Sequence, residues 1–472
     1  MVTYAQLIRR FIDWETREGL FEYRVRNRIV WDYLRYAVFE YFILKQVVRQ
    51  DEIKPPTASR SKATLGYLRD VFGIVKSCIQ FFLESDQKNY DLIVINYDRK
   101  NQIDGKIANI HFYPFIQALK DRYRILLVDP SRYEEKVEEV YPCDVFRSRF
   151  FHYRAVLRAK FISYVQEEKD IFEKIRQLIQ KEFWIDLKLS EIVSQFFSYQ
   201  LALAEDYQKL FRRVRPRLIV HSDTGSSKGW IEAAHKEGIP VMDYQHSLMS
   251  SVNILYHYPK DIGRYHLKTL SDSIFTFGEY WHGEYRLPIR KIAVGFPFTE
   301  MKRSELRAGI EKTGGILIIS SLHSGKKLEK LALDLSSLLP DQKIFYKLRP
   351  EEYVHWQNIY SQELATRENI TVIDSDFVPL YEYFSMCNFQ IGVNSTALVE
   401  GLTFQLTTFI LKDGWYEEMQ SLIDQGLVFA VETAEDVAAK IRGGELPRRI
   451  SADQFFKKGS IKNIRQEMEN YS

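Results

Sequence analysis

Short apolar runs alternate with longer amphipathic stretches along most of the chain, which is typical of α/β folds with parallel sheets. A first block of strand-like runs covers residues 91–96, 124–129, 217–221, 239–244, 273–278 and 291–295. A second block covers residues 316–319, 343–346, 371–373 and 389–393. Two such blocks predict two doubly wound domains that face each other across a cleft.

The first fifty residues have a different pattern and predict two amphipathic helices. Large apolar residues recur there at helical spacing: Tyr4, Leu7, Phe11, Trp14, then Trp31, Leu34, Val38, Tyr41 and Leu44. Aromatic residues at this spacing usually belong to a core, so we expect the helices to pack on the first domain. The alternative is a basic, aromatic surface for anionic lipid. A linker at 54–59 and a third helix over 64–84 follow.

These patterns predict four parts of the chain. Residues 1–87 form an N-terminal helical extension, and residues 88–300 form a Rossmann-like domain with a helical insertion at 155–212. Residues 301–445 form a second Rossmann-like domain. The tail, 446–472, is expected to return as a helix across the first domain.

Charge and composition exclude several classes of protein. The 472 residues carry 66 Lys and Arg against 63 Asp and Glu, a balance too even to indicate nucleic-acid binding. The three cysteines, Cys78, Cys143 and Cys387, are widely spaced, which excludes a disulfide framework and a Cys-based zinc site. The start of the chain meets charge by Arg9, unlike a signal peptide, and no apolar run has the length of a transmembrane helix. We therefore expect a cytoplasmic protein, with peripheral contact at the inner face of the membrane left open.

Polar loops follow the strands of the second block, where parallel strand ends and helix starts converge on a ligand crevice. Lys347 and Arg349, just before Pro350, follow one strand, and their two cations suit the phosphates of a nucleotide. A solvated strand end with incidental charge is the alternative. Asn394, Ser395 and Thr396 follow another strand, where hydroxyls and backbone N–H groups cap a helix, receive a phosphate, or do both.

Two further features of the second domain are weaker signals. Ser321, His323 and Ser324 lie in a Gly-containing turn between strand and helix that lacks the spacing of a Walker P-loop, and they are candidate donor contacts. Glu400 lies one helical turn beyond Thr396 and is a candidate acceptor for a ribose or sugar hydroxyl. A solvated helix residue is equally consistent with its position.

The first domain offers two candidate catalytic residues. Asp104 precedes a glycine in the loop after the first strand, where it could face the cleft as a general base or form an ordinary Asp-Gly turn. His246 ends another strand and is a candidate base or phosphate contact. The alternative for His246 is a buried, satisfied histidine.

A metal site is not predicted. Asp374 and Asp376 form an Asp-x-Asp pair, but they precede a proline and a helix, and we expect them to cap that helix. No His/Glu or His/His pair at ligand spacing accompanies them.

In this order the motifs resemble those of GT-B-fold glycosyltransferases of bacterial surface-carbohydrate (capsule and lipopolysaccharide) biosynthesis. The resemblance is to the group of capsule polysialyltransferases and CDP-glycerol glycerophosphotransferases, whose Lys-x-His-Pro-like motif precedes a Ser-Ser or Ser-Thr motif before a helix. This chain has Lys347-Leu348-Arg349-Pro350 and Asn394-Ser395-Thr396. Gln245-His246-Ser247 resembles a Gln-His-Gly strand end, and Asp104-Gly105 resembles the element that bears the base.

The resemblance implies roles for these residues. Lys347 and Arg349 contact the donor phosphate, and Ser395 and Thr396 do so from the opposite turn. Asp104 deprotonates the acceptor hydroxyl. The chain departs from the family at Arg349, which replaces His, and at Ser247, which replaces Gly.

The function expected from the resemblance is transfer of a sugar from a CMP-, CDP- or UDP-linked donor to a surface glycan or lipid-linked acceptor. Inversion without an essential metal or other cofactor is expected. Two alternatives remain open. One is an isomerase like the UDP-sugar 2-epimerases, which share this fold but need several carboxylates at the cleft. The other is a non-catalytic scaffold in a polysaccharide assembly complex.

Overall fold

The computed structural model describes residues 3–44, 73–79, 81–82, 89–97, 100–103, 105–131, 137–222, 225, 227–306, 312 and 314–471. The predicted linker at 54–59 lies outside these residues, and so does most of the third predicted helix, of which residues 73–79 and 81–82 are described and helical.

Within these residues, seven parallel strands form the sheet of the first domain. Their order across the sheet is Arg290–Ala293, Ser273–Thr276, Val241–Tyr244, Leu218–His221, Leu92–Ile95, Ile125–Asp129 and Asp144–Arg147. All six strands predicted for this block are present. The seventh, Asp144–Arg147, is an edge strand whose residues are mostly half-buried or exposed, so it lacks the apolar run that marks the others.

Six parallel strands form the second sheet in the described part of the chain. Their order is Ile370–Ile373, Ile344–Lys347, Gly315–Ile319, Cys387–Gly392, Thr407–Leu411 and Phe429–Val431. Strands such as Leu92–Ile95 and Gly315–Ile319 are buried along their whole length, because helices cover both faces of a parallel sheet. The predicted fold class, two doubly wound α/β domains, is confirmed.

Helices surround both sheets, and two antiparallel hairpins among the described residues lie apart from them. The helices of the two domains and the tail are Phe112–Leu119, Val137–Val140, Arg149–Ala159, Gln166–Phe183, Leu189–Ile192, Tyr199–Val214, Lys228–Lys236, Pro297–Leu306, Gly325–Leu338, Trp356–Ile359, Gln362–Thr366, Leu380–Met386, Thr396–Leu402, Gln420–Asp424, Ala434–Arg442, Ala452–Phe455 and Ser460–Met468. The hairpins pair Arg24–Val25 with Arg28–Ile29, and Lys100–Ile103 with Lys106–Asn109.

The N-terminal segment folds as the helix Tyr4–Arg17 and the helix Val30–Ala37, which continues as a π-helix over Val38–Leu44. Phe11, Trp14 and Trp31 are almost completely buried and belong to one core with the first sheet. The expected packing of these helices on the first domain is therefore confirmed.

Buried charges fasten the N-terminal helices in place. Arg35 donates to Glu15 over 2.8 Å and to the carbonyl oxygen of Ile254 over 2.6 Å, and all of these groups are enclosed. Asp32 likewise accepts from Lys228 Nζ over 3.2 Å and from the Tyr258 hydroxyl over 2.9 Å. Burying a charge costs free energy unless an opposite charge or a hydrogen bond compensates it, so removing one partner of these contacts destabilises the fold.

The tail returns to the first domain, as expected. Trp281 Nε1 donates to the Phe455 carbonyl over 2.9 Å, and the Tyr123 hydroxyl donates to the Met468 carbonyl over 3.0 Å. Glu300 accepts from the backbone N–H of Gly459 over 2.7 Å. The tail is thereby fixed against the first domain. No helix in the described ranges is both long and apolar enough to cross a membrane.

We expect Glu15→Gln to lower the free energy of unfolding by about 3–5 kcal/mol, because it leaves the buried Arg35 charge without its carboxylate. Urea unfolding measures this loss. The matched control is Glu182→Gln, whose carboxylate pairs with Arg10 and Arg17 at the surface and should contribute less than about 1 kcal/mol. Equal losses in the two variants would contradict the structural role of the buried pair.

Candidate functional site

A cavity of about 640 Å³ lies between the two domains. From the first domain, its wall includes Gly105 and Ile110 of the loop after the first strand and Ser247 after the strand Val241–Tyr244. The second domain contributes residues from the segments that follow five of its strands. The carboxyl ends of both sheets therefore open onto this cavity, which is where ligands bind in doubly wound folds.

Lys347 ends its strand in the cavity wall, and its ammonium group is buried and paired. Its Nζ donates to Asp376 over 2.9 Å and to the Ser375 carbonyl over 3.0 Å, and it contacts the Tyr353 hydroxyl. The charge of Asp376 thus balances that of Lys347 at this point of the wall. A ligand phosphate at Lys347 would compete with this carboxylate.

The expectation that Asp374 and Asp376 cap a helix is wrong. Asp376 pairs with Lys347, and Asp374 accepts from Trp356 Nε1 over 3.0 Å. The helix Leu380–Met386 begins only after Pro379 and has no side-chain cap. Because non-helical residues intervene, both aspartates lie too far upstream to reach its first N–H groups.

Two further cations reach the cavity. Arg349 and Pro350 line it as predicted, and the Arg349 side chain is 45% exposed and has Glu351 at 3.8 Å. Lys302, on the helix Pro297–Leu306, also lines it and pairs with Glu305 over 2.8 Å. Lys302 was not among the residues predicted from the sequence, because nothing in the local pattern shows which way its helix faces.

The loop after the strand Cys387–Gly392 forms the facing wall. Ser395 caps the helix Thr396–Leu402, and its Oγ accepts from the Ala397 N–H over 3.2 Å, which confirms the capping half of the prediction. Asn394, Ser395 and Thr396 all line the cavity. Glu400 also lines it and accepts from the Tyr381 hydroxyl, so it is a wall residue rather than a solvated one.

Glu418 is a wall residue that the sequence reading missed. Asn394 Nδ2 donates to its carboxylate over 2.8 Å, and burial raises the pKa of Glu418 to about 7. A carboxyl group that titrates near neutral pH within a cavity is a common feature of functional sites. A signal for this residue was present in the sequence. The strand Thr407–Leu411 is an apolar run followed by a polar segment, like the neighbouring strands, and Glu418 lies in that segment.

The N-terminal helix helps to position Glu418. The ring of Tyr4 stacks on Trp415 with centroids 4.6 Å apart, and the N–H of Ala5 donates to Glu417 over 2.7 Å. The first helix of the chain therefore holds the segment that carries this carboxylate.

The remaining second-domain candidates do not line the cavity in the described part of the chain. Ser320 lines the cavity, but within the described wall Ser321, His323 and Ser324 are not part of it. The His323 ring stacks on Trp415 at 5.4 Å, and Ser324 is buried at the start of the helix Gly325–Leu338.

The two first-domain candidates are Asp104 and His246, and the structure describes only the second of them. Asp104 lies outside the described residues, although its neighbour Gly105, which has a φ of +73°, lines the cavity. His246 is buried directly behind Ser247, with Nδ1 3.4 Å from the Tyr256 hydroxyl and its ring 5.2 Å from Tyr97. The burial of His246 agrees with the alternative of a buried histidine.

Among the described residues, no three His, Cys, Asp or Glu side chains come together as metal ligands. Metal-independent function stays a prediction.

Neither a protein-family model nor a curated protein matches this sequence. Solved structures do match. UDP-GlcNAc 2-epimerase from Neisseria meningitidis bound to UDP-GlcNAc is 13% identical, with 80% of this chain and 99% of that chain covered and a TM-score of 0.51. The S. aureus MnaA–UDP co-structure is 13% identical, with 80% and 96% covered and a TM-score of 0.50. MurG from Acinetobacter baumannii is 10% identical, with 79% and 94% covered and a TM-score of 0.43.

At such identities the likeness concerns the fold. The two facing Rossmann-like domains have the GT-B-like arrangement of these neighbours, and the match covers nearly the whole length of theirs.

Glu418→Gln should make stability less dependent on pH. The Glu418 carboxyl stays protonated up to about pH 7 in the folded protein but only to about pH 4.3 in the unfolded chain. The free energy of unfolding of the parent should therefore fall by up to about 1.4 kcal/mol per pH unit between those values. The variant lacks this loss, so it should gain stability over the parent as the pH rises through the window.

Urea unfolding at about pH 5 and about pH 8 measures this difference. The control is Glu435→Gln on the exposed surface of the second domain, which should leave the pH dependence unchanged. A Glu418→Gln variant with the slope of the parent would contradict the raised pKa.

Proposed function

We propose that this protein is a glycosyltransferase that uses a nucleotide-activated sugar, CMP-, CDP- or UDP-linked, as donor. The observation that carries the proposal is the cavity between the carboxyl ends of two parallel sheets, with cations on one side and a polar loop on the other. Two structural neighbours were solved with UDP or UDP-GlcNAc, which supports a nucleotide sugar as ligand.

Lys302, Lys347 and Arg349 would hold the donor phosphates. They line one cavity, and the half-exposed guanidinium group of Arg349 forms only a long ion pair, 3.8 Å, with Glu351 in the described part of the chain. Charge-assisted hydrogen bonds from such groups also stabilise the negative charge that develops on a leaving nucleotide. Ser395 and Thr396 would contact the same phosphates from the facing loop, and Glu400 would accept a ribose or sugar hydroxyl.

Proton transfer from the acceptor hydroxyl requires a base at the first-domain side of the cavity. Asp104 and His246 stay the candidates from the sequence, and the position of Gly105 in the wall supports the first of them. Direct displacement with inversion, a surface glycan or lipid-linked acceptor, and a place in capsule or lipopolysaccharide assembly are proposed from the motif resemblance.

The first test is binding of CMP, CDP, UDP, GDP and CDP-glycerol to the purified chain, measured as a thermal shift. A ligand that binds the folded state raises the unfolding temperature by mass action, so one selective shift identifies the donor class. No shift with any of them would count against a nucleotide-dependent enzyme.

Arg349→Ala should weaken binding of the selected nucleotide by about 10- to 150-fold, because one charge-assisted hydrogen bond is lost. Isothermal titration calorimetry measures the change. Arg367→Ala is the matched control, since Arg367 is a half-exposed arginine of the same domain that pairs with Glu363 and does not line the cavity. Parent-like affinity in Arg349→Ala would refute its phosphate contact.

A 2-epimerase-like isomerase is a second candidate, and one observation favours it. Asp376, Glu400 and Glu418 all line the cavity, so the site has more carboxylates for acid–base chemistry than the sequence indicated. Incubation with the nucleotide sugar alone separates the candidates. An isomerase converts it to a new nucleotide sugar without an acceptor, whereas a transferase needs an acceptor and releases the nucleotide.

A further inference from the structure

The helix Arg149–Ala159 and the two residues that follow it present an apolar face to solvent. Tyr153, Val156, Leu157 and Phe161 lie on this face at helical spacing, and Leu157 and Phe161 are 60% and 85% exposed. We name these four residues the apolar stripe. Arg149 lies over the ring of Tyr153 at 5.4 Å, and Val156, Leu157 and Phe161 are exposed by 49% or more among the described residues.

The opposite face of the same helix accounts for its folding. Phe151, Ala155 and Ala159 are buried against the first domain, and Phe151 packs edge-on against Tyr207 of the neighbouring helix. Core packing therefore fixes the helix without using the apolar stripe. Apolar side chains exposed together in this way mark a site of interaction.

Positive charge borders the apolar stripe. The segment 149–161 contains four cations, Arg149, Arg154, Arg158 and Lys160, and no acidic residue. The neighbouring helix Tyr199–Val214 places Glu205 against Arg158 and Asp206 against both Arg154 and Arg158, and it also carries Lys209, Arg212 and Arg213. Even with these pairs counted, cations outnumber acids around the stripe.

Adjacent residues extend this surface. Phe82 is 49% exposed, and the guanidinium group of Arg154 lies 4.6 Å from the centre of its ring. Apolar rings beside Arg and Lys groups match the boundary between lipid headgroups and acyl chains, where an aromatic or aliphatic side chain enters the hydrocarbon and the cations meet anionic headgroups. A hydrophilic polyanion would satisfy the cations but not Leu157 or Phe161.

We propose that the apolar stripe and its bordering cations form a docking surface for an anionic lipid bilayer. The surface lies on the first domain, whereas the aromatic residues Phe11, Trp14 and Trp31 of the N-terminal helices are buried in the core. This proposal does not depend on the donor or on the reaction.

The test is co-sedimentation of the full chain with vesicles. We expect binding to vesicles of phosphatidylcholine mixed with phosphatidylglycerol, weaker binding to phosphatidylcholine alone, and release as salt is raised. The double variant Leu157→Glu/Phe161→Glu should partition to the mixed vesicles at least about tenfold less than the parent. In the parent, the Leu157 and Phe161 side chains move from water into the bilayer on binding, and the variant loses this contribution. Both positions are exposed, so the variant should keep its fold, which circular dichroism checks.

Leu446→Glu is the matched control, because Leu446 is 66% exposed on the tail, away from the stripe, and should bind as the parent does. Three outcomes would overturn the proposal: a parent that binds neither vesicle, equal binding to neutral and anionic vesicles, or a double variant that binds like the parent. A parent that is dimeric and a double variant that is monomeric would also overturn it, since the stripe would then be an interface between two copies of the chain.

Discussion

Parallel pairing of the strands is the constraint on which the rest of this structure depends. Within each sheet every strand points the same way, so every loop at its carboxyl end lies at one edge. With two such edges opposed, residues as distant as Ser247 and Asn394 line one cavity. The chemistry of the cavity is then set by the few polar residues that each loop carries.

The strands and the residues at their carboxyl ends could be predicted from the sequence. Residues whose position depends on how helices pack could mostly not be predicted. Apolar runs ending in polar loops located the strands, and with them Lys347 and Ser395, because buried parallel strands have a strong and local signal. Lys302 and Glu418 were not predicted, because their place in the wall depends on which way the helix Pro297–Leu306 and the 3₁₀ turn Tyr416–Met419 are oriented. The aspartate pair was misassigned for a related reason: the partner of Asp376 comes from another strand.

Buried charge links the N-terminal extension to the cavity. Arg35 and Asp32 hold the extension on the first domain, because their buried charges are paired only when the extension is in this position. From that fixed position, Tyr4 and Ala5 reach Trp415 and Glu417 in the other domain. The extension is thereby part of the geometry of the site, even though it contributes no residue to the cavity wall in the described part of the chain.

The contact between Ala5 and Glu417 joins residues 412 positions apart. During synthesis, the first helix therefore emerges from the ribosome long before its partner in the second domain exists. Tyr4, which stacks on Trp415, remains without this partner until that segment of the second domain has been made. Contacts of this separation slow folding and favour misassembly when synthesis is interrupted. Nascent chains that stop before Trp415 would thus be natural clients for chaperones.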